Sequence, residues 1–291
     1  MPLTPEVLEI TTVVGCAVHC TFCPQSVIVK AYGKRDALTL ENFKVALKTV
    51  PKHVVVGFTG FSEPFLNPHT VDMMEYASAE GYKMWLFSTL VGLRAENVKR
   101  LAALSFEHIC LHLPDNLHNA TIPSTPSYRE TLDTALRTLR IDEFSVMNAN
   151  FVMTSRAGHV RNSVKRYRRG FFTCHKLHKP QFVMIPNCDV VLCCMDYELR
   201  HKLGNLIADS YHEICCAPAL KKIKSNRFHL SGRNLCRDCS NSSLLFNTEI
   251  VVKHFMKVLK QRANYGDRLL EPAAAHPPTV GTPLVHTPDP V

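Results

Sequence analysis

Apolar residues in the first 155 positions of the chain fall into two alternating patterns. Short apolar runs predict strands, and stretches with helical spacing of apolar residues separate them. Alternation of this kind predicts parallel strands with crossover helices, and therefore an α/β sheet or barrel. The predicted strands are Val7–Val14, His53–Thr59, Lys83–Ser88, His108–Leu113 and Ser145–Met153. The predicted helices are Glu41–Val50, Thr70–Ala79, Ala95–Ala103 and Tyr128–Leu139.

The pattern changes near residue 170. Two short apolar runs, Gln181–Ile185 and Val190–Leu192, predict a hairpin, and helical spacing follows over Tyr211–Ser225 and Leu244–Arg262. The last twenty or so residues are rich in proline, which is typical of disordered tails. We therefore expect four parts: an α/β domain at 1–169, a small cysteine-rich module at 170–243, a C-terminal helix at 244–270 and a disordered tail at 271–291.

Composition is that of an ordinary soluble protein. Hydrophobic residues make up 46% of the 291 positions and charged residues 20%. No apolar run reaches the ~18 residues that a membrane helix needs. The first six residues lack the basic and apolar regions of a signal peptide. We expect a cytoplasmic protein with no membrane partner.

The chain carries an excess of positive charge. Its formal net charge is +9, from 34 basic and 25 acidic residues, which suggests an anionic substrate or partner. The densest basic run spans residues 161–169, and a solvated helix face explains such a run better than a phosphate site does. No aromatic-rich nucleic-acid motif accompanies the basic run, so nucleic acid is not expected as a partner.

Twelve cysteines are many for a chain of this size. Without an export signal, metal or cluster binding explains them better than disulfides do. Ten of them fall in two regions, three within residues 16–23 and seven within residues 188–239. Cys110 and Cys174 lie between these regions.

The first region carries Cys16, Cys20 and Cys23 directly after the first predicted strand, where the active sites of α/β barrels lie. Three thiolates on a short loop can bind three irons of a 4Fe–4S cluster and leave the fourth iron open. A zinc site is the alternative, but zinc usually takes four ligands at paired two-residue spacings.

With Phe22 before its last cysteine, this segment resembles the signature of the radical S-adenosylmethionine (SAM) superfamily. The resemblance implies a partial (β/α)6-type barrel and a cluster whose open iron binds SAM. The cofactors carry out the chemistry, and the protein positions them and shields the reaction. It also implies an electron donor such as flavodoxin or ferredoxin. Cys16, Cys20 and Cys23 are the implied ligands of the cluster.

Other strand ends are similar to this family in the right order. The turn Thr59–Pro64 resembles the Gly/Glu-rich turn that contacts the SAM amino group, although Ser62 stands where glycine is common. The third and fifth predicted strands also end in polar residues. The implied SAM-binding residues are Phe22, Gly60, Ser62, Glu63, Ser88, Thr89 and Ser155.

The second cysteine group resembles the twitch module, a shortened form of the SPASM domain. The resemblance implies a second 4Fe–4S cluster, and no cysteine after Cys239 suggests a further one. In the family, a ligand cysteine stands five residues after a glycine in the hairpin. Cys188 occupies the position of that glycine here, so Cys193 is preferred to Cys194 as the ligand. A four-cysteine zinc site is the alternative. The implied ligands are Cys174, Cys193, Cys236 and Cys239, whereas Cys110, Cys215 and Cys216 are expected to be core thiols.

The reaction implied is that of the twitch-type radical SAM dehydrogenases of aminoglycoside biosynthesis. There a hydrogen atom leaves a carbon that bears a hydroxyl group, a base takes the hydroxyl proton, and the auxiliary cluster accepts the remaining electron. We expect a sugar-like or nucleotide-linked small molecule as substrate. Arg156 and His112 are candidate substrate-binding or base residues, with a structural role as the alternative for each.

Three other classes stay open. A sugar epimerase would return a hydrogen atom from a thiol such as Cys188, Cys194 or Cys216. A peptide-modifying maturase often has an N-terminal recognition domain, for which a first strand at residue 7 leaves no room. A non-enzymatic iron–sulfur scaffold would not need a cluster with an open iron.

Overall fold

The first half of the chain alternates strands and helices in the computed structural model, which describes residues 6–114, 119–146, 154–160, 170–179, 181–229 and 234–244. The strands are β1 (Val7–Ile10), β2 (Val13–Val14), β3 (Asp36–Ala37), β4 (Val55–Phe58), β5 (Met84–Ser88), β6 (His108–Leu113) and β7 (Glu143–Val146). The helices are α1 (Gln25–Tyr32), α2 (Leu40–Leu47), α3 (Thr70–Ala79), α4 (Ala95–Ala102) and α5 (Pro126–Thr138).

The elements of the cysteine-rich half are shorter. The strands are β8 (Phe172–Thr173), β9 (Gln181–Met184), β10 (Asp189–Val191), β11 (Lys202–Asn205) and β12 (Ser243–Leu244). The helices are α6 (His175–His178), α7 (Tyr211–Cys215), α8 (Pro218–Asn226) and α9 (Leu235–Asp238).

One eight-stranded sheet organises the described residues, in the order β11-β10-β9-β1-β4-β5-β6-β7. The strands from β9 to β7 in this order are parallel, and β10 is antiparallel to both β9 and β11. The predicted α/β class with a parallel sheet is confirmed, and so is the hairpin formed by β9 and β10. Sequence patterns did not show that β9 pairs in parallel with β1, which joins the hairpin to the main sheet.

The core lies on both faces of the sheet. On one face, Leu8 and Ile10 of β1 pack with Phe43 of α2 and Met73 of α3 in the main hydrophobic cluster. A smaller cluster that includes Val183 lies outside this core. All four residues of β1 are buried, the charged Glu9 among them, because both faces of this strand are covered.

Two predicted elements differ from the structure. The predicted helix Tyr211–Ser225 is two helices, because Pro218 lacks a backbone N–H and disfavours helical geometry at Ala217. The predicted strand Val7–Val14 is divided into β1 and β2 by Thr11 and Thr12.

Several predictions fall on residues that the structure does not describe. These are residues 147–153 of the predicted strand Ser145–Met153, the basic run at 161–169, almost all of the C-terminal helix and the tail. In the part of the chain that is described, no helix has the length and hydropathy needed to cross a membrane.

Candidate active site

The loop that carries the first three cysteines follows β2 and is held by Gln25. Cys16 donates its backbone N–H to Gln25 Oε1 at 3.2 Å, and Gln25 Nε2 donates to Cys23 Sγ at 3.2 Å. Nε2 also donates to the carbonyl oxygen of Phe61. Gln25 is the first residue of α1, so the helix that follows the motif holds the first and third cysteines together.

The three cysteines line one cavity beside the carboxyl ends of the parallel strands. Ends of neighbouring parallel strands meet at one edge of a sheet, so residues distant in the chain come together there. The structure thus brings together most of the residues that the motifs predicted. Beside Cys16, Cys20 and Cys23, the predicted residues that line this cavity are Phe22, Gly60, Ser62, Glu63, Ser88, Thr89, His112 and Arg156.

Glu63 braces this edge of the sheet. One carboxylate oxygen accepts from Ser88 Oγ at 2.6 Å, and the other accepts from the backbone N–H and the Oγ1 of Thr89 at 2.6 and 2.7 Å. Burial raises the pKa of Glu63, and these hydrogen bonds oppose the shift. The turn after β4 is therefore joined to the end of β5 by the carboxylate that the sequence assigned to SAM binding.

Gly60 and Ser62 shape the same turn. Gly60 has a φ of 77°, and a Cβ there would lie 2.4 Å from Thr11 Oγ1. That hydroxyl accepts the backbone N–H of Phe61 at 3.1 Å. Ser62 Oγ accepts the backbone N–H of Val13 at 3.4 Å. The turn therefore needs glycine at 60, and the serine at 62 serves to hold the turn against the segment before the cysteine loop.

The thiols of the first group are in an environment that calls for a bound cation. Burial raises the pKa of Cys16. Burial, followed by the charges of Cys23 and Cys16, raises the pKa of Cys20 to about 12. Cys16 and Cys20 thus resist ionisation by themselves, and a cationic iron–sulfur core would stabilise their thiolate forms. The donor set fits the predicted cluster.

Arg156 and His112 add polar groups to the cavity. Arg156 has a φ of 43°, and its buried Nε has no hydrogen-bond partner among the described residues. Burial lowers the pKa of His112; the charge of Glu143 opposes this shift and that of Arg156 adds to it. The His112 imidazole is therefore neutral at pH 7 and able to accept a proton, while Arg156 remains a cation.

Ser155 does not line this cavity, in contrast to the prediction. Its hydroxyl donates to the carbonyl of Asp238 and accepts the backbone N–H of Ser240, both at 3.0 Å. Its own backbone N–H donates to Ser240 Oγ at 3.0 Å. Both hydroxyl functions are thus engaged with the segment that carries the Cys236/Cys239 pair, so Ser155 holds that segment in place.

Tyr197 was missed by the sequence analysis. Its hydroxyl oxygen lies 3.3 Å from Cys23 Sγ, and its ring packs edge-to-face against Phe61 at a centroid distance of 4.7 Å. Only 2% of Tyr197 is exposed. No local pattern marks this residue, because it stands 174 positions from the cysteine that it contacts.

The second group of cysteines is assembled around α9. Cys236 and Cys239 are buried in the main core with Cys193, and Cys174 packs against them. Ser242 Oγ donates to the carbonyls of Cys236 on α9 and of Cys239, which directly follows α9, and thereby holds the CxxC pair in one conformation. Burial and then the nearby Cys239 and Cys174 raise the pKa of Cys236 to about 12, so this group too favours a bound cation.

Cys193 and Cys194 have different surroundings. Burial raises the pKa of Cys193, with smaller effects from Cys194 and Cys236, and Cys194 in turn acts electrostatically on Cys239. Cys194 Sγ instead accepts a hydrogen bond from Lys176 Nζ at 3.1 Å and lies near the charges of Glu9 and Arg156. Both sulfurs are thus linked to the CxxC pair, and the choice of Cys193 as the ligand stays a prediction.

Both cysteine groups offer only thiol sulfur, the donor that iron–sulfur clusters use. In the described ranges, no three His, Cys, Asp or Glu side chains converge closely enough to hold a single metal ion.

Comparison with known proteins supports this interpretation. Residues 174–240 match SPASM, an iron–sulfur cluster-binding domain. This is the module that the second cysteine group predicted. No curated protein sequence matches the chain.

Three solved structures share the fold. BtrN in complex with AdoMet and 2-DOIA aligns with a TM-score of 0.63 at 14% identity, over 83% of this chain and 95% of BtrN. anSMEcpe with bound AdoMet gives 0.55 at 14%, over 91% of this chain and 100% of anSMEcpe. SuiB of Streptococcus suis bound to the precursor peptide SuiA gives 0.54 at 14%, over 81% of this chain and 70% of SuiB.

The chain has the fold of radical SAM enzymes with a SPASM module. The predicted radical SAM fold and the iron–sulfur module after it are thereby confirmed. In this radical SAM fold, the cavity lined by Cys16, Cys20 and Cys23 lies beside the carboxyl ends of the parallel strands, and the SPASM module contributes Tyr197 to it.

Proposed function

We propose that the chain is a radical SAM oxidoreductase that oxidises an alcohol carbon of a small sugar-like or nucleotide-linked molecule. The observation that carries this proposal is the single cavity that unites Cys16, Cys20 and Cys23 with the polar residues His112 and Arg156. A cluster site and groups able to bind substrate or move a proton are thus adjacent. The proposal is supported further by the likeness to BtrN, whose complex contains AdoMet and 2-DOIA.

The first three cysteines would hold a 4Fe–4S cluster, with SAM on its open iron. When bound, this pair supplies the electron transfer and the carbon radical that removes a hydrogen atom from substrate. Gly60 and Ser62 line the cavity at the turn after β4. Because Glu63 keeps this turn joined to the end of β5, the backbone there is preorganised for the SAM amino group.

His112 is the group best suited to take the hydroxyl proton. Its lowered pKa leaves the imidazole free to accept that proton at neutral pH. Arg156 lines the same cavity, and its Nε has no partner in the described part of the chain, so it would orient an oxygen or an anionic group of the substrate. Both residues are therefore proposed to act on substrate, and neither is proposed to ligate iron.

The second cluster would be held by Cys174, Cys193, Cys236 and Cys239, and it offers an electron acceptor. In total the substrate would lose a hydrogen atom, a proton and an electron, which together make the two hydrogens of an alcohol-to-ketone oxidation. The electron that starts each turnover would come from a protein such as flavodoxin or ferredoxin.

A peptide substrate is the second candidate. It is favoured by the likeness to SuiB, whose complex contains the precursor peptide SuiA, and to anSMEcpe, which was also solved with a peptide. An epimerase, which would need a thiol to return a hydrogen atom, is less well supported. Cys188 and Cys216 do not line the cavity, and Cys194 accepts a hydrogen bond from Lys176.

The deciding experiment is an anaerobic assay of the reconstituted protein with SAM and a reductant. Sugars, cyclitols, nucleotide-linked sugars and short peptides are supplied in parallel. We expect 5′-deoxyadenosine and a product lighter by two hydrogens with one of the alcohol classes. Oxidation of a peptide alone would establish the second candidate, and a product of unchanged mass that carries carbon-bound solvent deuterium would establish an epimerase.

A further inference from the structure

A buried lysine links the sheet to the SPASM module. Lys176 of α6 places its Nζ 3.1 Å from Cys194 Sγ and 3.3 Å from Oε1 of Glu9, which lies on β1. The two charged side chains are only 13% and 10% exposed. Lys176 also interacts electrostatically with Cys193, so its ammonium group lies near both neighbouring sulfurs and is hydrogen-bonded to that of Cys194.

Burial of this ion pair is costly for a purely structural contact. The free-energy cost of removing two charges from water is offset only by good geometry and further hydrogen bonds. Apolar residues in place of a buried ion pair often give the same stability. Here the ammonium has a sulfur as its second partner. Its position between a carboxylate and two thiols therefore points to a role in the electrostatics of the SPASM module.

The relevant property is the reduction potential of the cluster proposed there. Such potentials depend on net charge, burial and hydrogen bonds to the sulfurs. Reduction adds one negative charge to a centre already surrounded by thiolates. A cation in a medium of low dielectric constant stabilises the reduced form more strongly than it would in water, and a carboxylate opposes it.

We infer that Lys176 is a positioning residue that raises the reduction potential of the auxiliary cluster, and that Glu9 limits the increase. This inference rests on the proposed auxiliary cluster and extends it. Lys176 would act through Cys193 and Cys194, and it does not line the cavity that contains Cys16, Cys20 and Cys23. The consequence is an auxiliary cluster that accepts an electron more readily than its thiolates alone would allow.

The test uses the full chain with its three N-terminal cysteines replaced by alanine, so that only the auxiliary cluster is reconstituted. Iron content is measured first, and a potentiometric titration followed by electron paramagnetic resonance (EPR) then gives the midpoint potential. We expect Lys176→Met to lower the potential, Glu9→Gln to raise it and Lys176→Arg to stay near the parent. Lys221→Met, at an exposed position on α8, is the matched control and should not shift it.

The results separate this inference from the proposal on which it depends. If the parent with the three alanine substitutions binds no iron, the proposal of an auxiliary cluster is itself wrong. If Lys176→Met binds four irons and keeps the parent potential, Lys176 has only a structural role. Should Lys176→Met fail to assemble the cluster, Glu9→Gln decides, because an unchanged or lowered potential in that iron-loaded variant overturns the inference.

Discussion

The hydroxyl oxygen of Tyr197 lies 3.3 Å from the sulfur of Cys23. This contact joins the SPASM module to the cysteine loop of the α/β domain, and Gln25 Nε2 contacts the same sulfur at 3.2 Å. If Cys23 ligates iron as a thiolate, both groups can donate hydrogen bonds to it. The module thereby contributes directly to the surroundings of the first cluster.

Replacing Tyr197 by phenylalanine should therefore alter the first cluster. Hydrogen bonds to cluster sulfurs raise the reduction potential, so Tyr197→Phe should lower the midpoint potential of the SAM-binding cluster and make that cluster harder to reduce. The loss of one hydrogen bond should cost about 1 kcal/mol of stability. EPR-monitored titration measures the first effect, with Tyr76→Phe on α3 as control. Equal potentials in parent and Tyr197→Phe would show that the contact is only structural.

The two cysteine groups predict the iron content. Anaerobic reconstitution should give about eight irons per chain, and alanine at Cys16, Cys20 and Cys23 together should remove about half. Iron and acid-labile sulfide analysis, with zinc measured in parallel, checks the number. Zinc at Cys236 and Cys239 with only four irons would contradict the auxiliary cluster.

The neighbours Cys193 and Cys194 provide a matched pair of variants. Cys193→Ser should lose the auxiliary cluster, because its sulfur is near Cys236. Cys194→Ser should retain about four irons in that cluster, because its sulfur is engaged by Lys176. Iron content measured in the background that lacks the three N-terminal cysteines distinguishes them. The reverse result would make Cys194 the ligand.

Arg237 is predicted to hold the SPASM module together. It is 1% exposed, and its guanidinium donates to the carbonyls of Gly170, Asn226 and His229. Lysine cannot reproduce this fork of donors, so Arg237→Lys should destabilise the module by about 3 kcal/mol. Limited proteolysis should show faster cleavage in the module, whereas Arg140→Lys, at an exposed position, should behave like the parent.

His112 predicts how the reaction depends on pH. As a base it must be neutral, and burial keeps its pKa below the ordinary value of about 6.5. Activity should therefore be retained above that pKa and lost as the pH falls through it, with Glu143 and Arg156 as the charges that act on the ring.

The corresponding variant is His112→Gln. We expect it to slow alcohol oxidation about 10²-fold or more and to remove the acidic limb, while 5′-deoxyadenosine still forms. Product and 5′-deoxyadenosine are quantified together across the pH range. An unchanged acidic limb in His112→Gln would assign that limb to another group.

Local sequence was sufficient for the features that depend on neighbouring residues. The spacing of Cys16, Cys20 and Cys23 identified a loop with three thiols, and alternating apolar patterns identified the strands and helices of a parallel sheet. These inferences succeed because a short loop constrains its own side chains, and because strand and helix periods are properties of consecutive residues.

Tertiary structure decided the contacts between distant segments. The parallel pairing of β9 with β1 joins the cysteine-rich half of the chain to the main sheet. It brings Lys176 of that half to Glu9 on β1, and Tyr197 of that half to Cys23. The same assembly uses Ser155 to hold α9, although sequence order had assigned it to SAM. Such contacts depend on which strands are adjacent, and no periodicity along a single chain records that choice.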